Sequence, residues 1–310
     1  MSFLSIILGF FLLILGGEWL MKSSVALSLN LNISKMVIGM TVVSFATSAP
    51  ELIVSIQAAM SGHSDIALGN VIGSNIANIA LVLAIVILIS PIKVEDSFYK
   101  SDWPMMIFSC FLFAFMISYD FILSFKDGAI LFSILILFLF ILIRRKTNDE
   151  IINSEELEYL SNFKIIVYLI LGGFGLWMGS DLLVNGAVAI AESFGVSERV
   201  ISITLISVGT SIPELSASLI AIYKKEKAIS IGNLLGSNIF NIMAVLGITS
   251  MIQPIKVLEM SLINVDLIWM ICISFIILPI VFIPPKMILG RVSGLCLFLL
   301  YCTFITQLFV

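Results

Sequence analysis

Charge is what this sequence has least of. Only 12% of its 310 residues are Asp, Glu, Lys or Arg, about half the roughly 25% that a soluble globular chain carries. That is too little to cover a water-facing surface, so a water-soluble domain is excluded. Histidine is nearly missing: His63 is the sole example and lies in a loop, so no imidazole cluster is available for a metal. The four cysteines (Cys110, Cys272, Cys296 and Cys302) fall singly inside apolar runs. They lack the spacing of a zinc site or a disulfide framework and read as small apolar core residues. No basic, aromatic-interleaved surface offers itself to nucleic acid. No nucleophile–base pair stands out, which argues against an enzyme.

What remains is apolar. Hydrophobic residues make up 60% of the chain and the mean hydropathy is +1.17. Ten segments bounded by charge, Pro, Asn or Gly are legible, at 3–27, 35–60, 66–90, 103–119, 127–143, 164–190, 199–222, 229–252, 266–283 and 287–308. Each approaches the ~20 residues that cross a bilayer as a helix. The first has no basic leader before it and Gly-Gly-Glu-Trp after it, so it is expected to be a retained span rather than a signal peptide. The one hydrophilic stretch, Arg144 to Asn162, reads as a linker. The expected organisation is a first five-helix repeat at 1–143, a cytoplasmic linker at 144–163 and a second repeat at 164–310.

The repeat is explicit. Shifted by 163 positions, residues 37–93 align with 200–256 without a gap, and 27 of the 57 pairs are identical. Thr47-Ser48-Ala49-Pro50-Glu51 falls on Thr210-Ser211-Ile212-Pro213-Glu214. Gly69-Asn70 and Gly73-Ser74-Asn75-Ile76 fall on Gly232-Asn233 and Gly236-Ser237-Asn238-Ile239. Asn78 falls on Asn241, and Pro91-Ile92-Lys93 on Pro254-Ile255-Lys256. Chance apolar similarity does not match polar residues at one offset. Five spans is an odd number, so the second half enters the membrane from the opposite face. The expected fold is therefore all-α and integral to the membrane, with ten transmembrane helices as two inverted five-helix repeats. Loops after the odd-numbered segments hold 12 Lys and Arg residues, whereas the other side holds three, Lys126, Arg199 and Lys256. Positive charge stays cytoplasmic, which predicts both termini outside.

Glu51 and Glu214 lie deep in segments two and seven. A carboxylate at the bilayer centre costs roughly 2.5–3.5 kcal/mol on insertion scales. Segments two, three, seven and eight contain no internal Lys or Arg to offset it. The counter-charge must be a proton or a bound cation.

The neighbours point to a cation. Ser44, Thr47, Ser48, Glu51 and Ser55 share one helical face, and Ser207, Thr210, Ser211, Glu214 and Ser218 repeat that stripe. Asn70, Ser74 and Asn78 share a face in segment three, as do Asn233, Ser237 and Asn241 in segment eight. Carboxylate, hydroxyl and amide oxygens are hard ligands suited to Ca2+ and Na+. Pro50 and Pro213 lack an N–H and clash with the carbonyl four residues back, which frees the carbonyls near Ala46 and Gly209. Gly69, Gly73, Gly232 and Gly236 are read as sites of close helix approach. Glu18 reads either as the i+4 partner of Lys22 or, with its repeat equivalent Asp181, as lining an ion path.

These motifs resemble the two alpha-repeats of the sodium/calcium exchanger (cation/calcium exchanger) superfamily, whose prokaryotic members are similar over the whole chain. The resemblance implies an antiporter in the plasma (inner) membrane that exchanges Ca2+ for Na+ or H+ by alternating access. The ions are cargo, and no cofactor is implied. It also implies that Glu51 and Glu214 are the central carboxylates, with Thr47 and Thr210 beside them on the metal. Thr47, Ser48, Thr210 and Ser211 would give hydroxyl and backbone oxygens. Ser74 and Ser237 would flank Na+ sites, and Asn78 and Asn241 would complete the centre. Segments one and six would slide as a gating bundle. One departure is visible: where well-understood sodium/calcium exchangers carry an Asp in the second half, this chain has Asn241. Its centre is Glu-Asn-Glu-Asn, whose two negative charges balance one Ca2+ or two Na+ or H+. Na+ and H+ both remain open as the counter-ion.

Overall fold

The computed structural model describes residues 2–31, 33–144, 160–193, 207–283 and 287–307. Most of the 144–163 linker and the start of segment seven lie outside the described residues. Within them the chain is all-α. Seven helices are long and apolar enough to cross a membrane, and an eighth span is the bent pair Lys35–Thr47 and Ala49–Met60. The shorter apolar helices Ile212–Tyr223 and Arg291–Gln307 occupy segments seven and ten. The protein is thus a multi-pass integral membrane protein whose ten helices form two inverted five-helix repeats.

Segments two and seven break at their prolines. The pieces of segment two meet at Ser48 with a 44° bend, and Pro50 stands in the first turn of the second piece, Ala49–Met60. A proline is tolerated there because its missing N–H is unpaired in any helix. Segment seven repeats the break, with Pro213 in the first turn of Ile212–Tyr223. The two capping serines share one backbone conformation, Ser48 at φ −87°, ψ 3° and Ser211 at φ −90°, ψ 3°.

Segments three and eight each contain a π-helical turn, at Asn78–Leu83 and at Asn241–Leu246. Single π turns inside α-helices occur disproportionately at functional sites, and here both begin on the predicted site asparagine. Segments four and nine start earlier than their hydropathy suggests, at π turns Phe98–Asp102 and Leu262–Asp266. Asp102 sits buried in the first of these, where it accepts a 2.7 Å hydrogen bond from Ser101 Oγ. Charge alone was therefore a poor marker of where that span begins.

The chain packs as two compact units that are not the two repeats. One comprises 1–47 and 139–233, the other 48–138 and 234–310. Each takes part of both repeats, and the division falls at the Thr47–Ser48 break. In the first unit, segments one (Ser2–Leu31) and six (Asn162–Ser193) lie backbone to backbone. A Cβ on Gly16 would stand 2.7 Å from Leu176 N, and one on Gly172 would stand 2.6 Å from Leu20 N. Small residues permit such an approach in a membrane, where packing rather than water expulsion drives association.

In the second unit the repeats interlock through two short antiparallel strand pairs. Ile92–Lys93 pairs with Ile288–Leu289, and Ile122–Leu123 pairs with Ile255–Lys256. The duplicated Pro-Ile-Lys tripeptides thus form strands, each paired with the other repeat. Phe121 and Met287, the left-handed residues at φ 59° and 62°, turn the chain into the partner strands. Of the cysteines only Cys110 is buried; Cys272, Cys296 and Cys302 are exposed and not core residues. An apolar run marks a membrane helix without saying which of its faces turns outward, so the core reading held for one of the four.

Candidate ion-binding site

Both carboxylates are fully buried at 0% exposure, and each is placed by the first turn after a proline break. In the unit that holds Glu51, Ser48, Ser55, Ser74, Asn78, Ser237 and Asn241 are buried as well. Asn70 Nδ2 donates to the Glu51 carbonyl at 3.2 Å and to Ser55 Oγ at 3.0 Å. Segment three is thereby pinned to the carboxylate helix. Among the described residues, neither the Nδ2 nor the Oδ1 of Asn78 and Asn241 has a hydrogen-bond partner. A buried polar atom left without a partner costs about 1–3 kcal/mol. Two entire carboxamides in that condition, each at the start of a π turn, suit a place for something the chain itself does not supply.

In the unit that holds Glu214, Asn233 takes the part of Asn70. Its Nδ2 donates to Ser218 Oγ at 3.2 Å, as Asn70 does to Ser55. Its Oδ1 also accepts from Thr47 Oγ1 at 3.1 Å, and its carbonyl accepts from Ser44 Oγ at 2.9 Å. Ser211 is buried and Thr210 half-buried. The side chain of Ser207 lies outside the described residues. The Gly209 carbonyl, expected to be freed by Pro213, accepts a 2.8 Å bond from Ser180 Oγ of segment six.

Three sequence readings need correcting. Gly232 makes a close contact, since a Cβ there would stand 2.5 Å from Met36 O. Gly69 and Gly73 do not: the nearest atom to the first is Leu262 Cδ2 at 3.7 Å, and the second has open space. Glu18 forms its ion pair with Lys224, at 3.6 Å, rather than with the local Lys22; a partner distant in sequence is invisible to helical spacing. Sequence reasoning also passed over the hydrogen bonds made by Ser180, Asn75 and Asn238. For the two asparagines the signal was present, because both are identical across the repeat.

The family model described as sodium/calcium exchanger protein matches residues 1–144 and 164–310. The chain belongs to the sodium/calcium exchanger family. It is therefore a transporter and not an enzyme. Among its relatives, the sodium/calcium exchanger MaX1 of Methanosarcina acetivorans is 33% identical over 99% of this chain and 98% of its own length. The inner membrane protein YrbG of Escherichia coli is 32% identical over 80% of this chain and 79% of its own. The solved sodium-calcium exchanger NCX_Mj, soaked with Na+ and Ca2+, superposes with a TM-score of 0.83 at 30% identity, covering 99% of this chain and 98% of that one.

Proposed function

We propose that this exchanger moves Ca2+ against Na+ across the plasma (inner) membrane by alternating access, with both termini outside. The supporting observation is the pair of fully buried glutamates, Glu51 and Glu214, in segments with no internal Lys or Arg. Two carboxylates match the charge of one Ca2+. Each carries hard oxygen donors on its own motif and its repeat's next segment, and these are assigned to the ions: Ser44, Thr47, Ser48, Ser74 and Asn78 from the first repeat, and Ser207, Thr210, Ser211, Ser237 and Asn241 from the second. Thr47 and Thr210 are assigned to the metal alongside the glutamates, and the carboxamide oxygens of Asn78 and Asn241 gain in the cation the partner they lack. The bias of Lys and Arg toward one set of loops supports the orientation.

Proton coupling is the competing reading, and Asn241 favours it, because a centre with two acids offers little extra charge to a third Na+. Radioactive Ca2+ uptake into proteoliposomes, with an outward Na+ gradient set against an outward H+ gradient, separates the two. Uptake driven by Na+ alone supports the proposal. Uptake driven by H+ alone overturns Na+ coupling and makes the glutamates proton carriers.

A further inference from the structure

Asn75 and Asn238 occupy the same position in the two repeats, and they bond to each other. Asn75 Nδ2 donates to the Asn238 carbonyl at 3.2 Å, and Asn238 Nδ2 donates to the Asn75 carbonyl at 3.1 Å. Equivalent residues that exchange identical bonds must straddle a two-fold axis. Cys110 of segment four and Ser274 of segment nine also touch, at 3.9 Å. The asparagines are 1% and 0% exposed. Each follows a predicted site serine, Ser74 or Ser237, and precedes by three residues the Asn78 or Asn241 at which the π turn begins.

We propose that Asn75 and Asn238 form a positioning clamp that fixes the crossing of segments three and eight, and through it sets Ser74, Asn78, Ser237 and Asn241 against the transported ion. This rests on the ion-site reading above. Helix packing alone does not explain the pair, since an apolar residue of similar volume would fill the same space without two buried amides to satisfy. A directional bond to a main-chain carbonyl fixes register, which dispersion contacts leave softer. Position on the axis adds a consequence. When inverted repeats exchange roles between outward- and inward-facing states, a contact on the axis maps onto itself. The clamp is therefore common to both states, and weakening it changes ion affinity equally at the two faces.

The test compares Asn75→Leu and Asn238→Leu, which keep the branched shape and remove the donors, with Asn75→Ser as a milder variant should the leucine forms fail to fold. The apparent KM for Ca2+ is measured in right-side-out and inside-out membrane vesicles, together with the shift in melting temperature caused by Ca2+ or Na+ alone. Loss of one such bond is expected to raise KM about tenfold, by the same factor at both faces and in both leucine variants, with the maximal rate largely kept. An unchanged KM with only a lower melting temperature would make the pair structural and overturn the clamp. So would an effect confined to one face. Ion-induced melting shifts read the clamp without flux, so a wild type that shifts but does not exchange overturns the function alone. A wild type with neither shift nor flux overturns both.

Discussion

The two carboxylate motifs have the same backbone and different surroundings. Ser48 and Ser211 cap their helices at almost identical φ and ψ, and the helices that follow are both 12 residues long. Around them the contacts diverge. Segments two and eight touch at Gly39 and Gly232, where a Cβ on either would stand 2.5–2.6 Å from a main-chain oxygen. Gly69, the counterpart of Gly232, has only a leucine methyl at 3.7 Å. The Gly209 carbonyl holds the Ser180 hydroxyl. Ala46 has no such hydroxyl to receive, because the residue equivalent to Ser180 is Gly17. The motif is thus the constant part of each half and the helix contacts are the variable part. The proposed alternating-access cycle calls for that division, with ion-holding motifs that keep their form while their neighbours close and open.

The comparison breaks most decisively at the acids. Glu51→Gln and Glu214→Gln are each expected to abolish exchange in a protein that still folds, so full flux through either variant would remove that residue from the site. Next come the glycines. Gly39→Ser copies the second repeat's Ser202 into a backbone contact. It is expected to lower stability by about 1–3 kcal/mol through overpacking, read as a fall in melting temperature. Gly69→Ala is expected to leave the melting temperature unchanged and slow exchange, because on the proposed cycle Gly69 becomes close-packed only when the halves trade roles. Equal melting losses for both would show that the contacts are not alternatives.

Asn241→Asp adds a third carboxyl and is expected to steepen the dependence of Ca2+ flux on Na+; an unaltered Na+ response would show that charge does not limit Na+ binding. The smallest effect is expected from Lys35→Met. The Lys35–Glu226 ion pair at 2.7 Å is partly exposed at both ends, and such pairs contribute about 0–1 kcal/mol. A melting loss well above that range would mark the pair as a lock on segments two and eight.

Much of this was legible in the sequence, for a specific reason. Duplication writes the same constraint twice, so Glu51 and Glu214, the prolines and the asparagines stood out against an apolar background that tolerates substitution. The breaks followed from proline chemistry alone. What escaped were pairings between positions remote in sequence. The Pro-Ile-Lys repeats gave no hint that they were strands, because two residues are too few to show a period. Asn75 and Asn238 lie off the face shared by Asn70, Ser74 and Asn78, and a stripe analysis assigns them no role. The difference between Gly232 and Gly69 is a property of conformation, which an identical letter in two places cannot express.

The short strand pairs bear on how the protein is made. Ile92–Lys93 waits for Ile288–Leu289, and Ile122–Leu123 waits for Ile255–Lys256. When the first five helices have left the ribosome, neither loop has its partner; Ile122–Leu123 gains one after segment eight, and Ile92–Lys93 only when segment ten alone is left to make. Insertion of the first half precedes its completion, and the final stitch of the nascent protein is tied near its C-terminus.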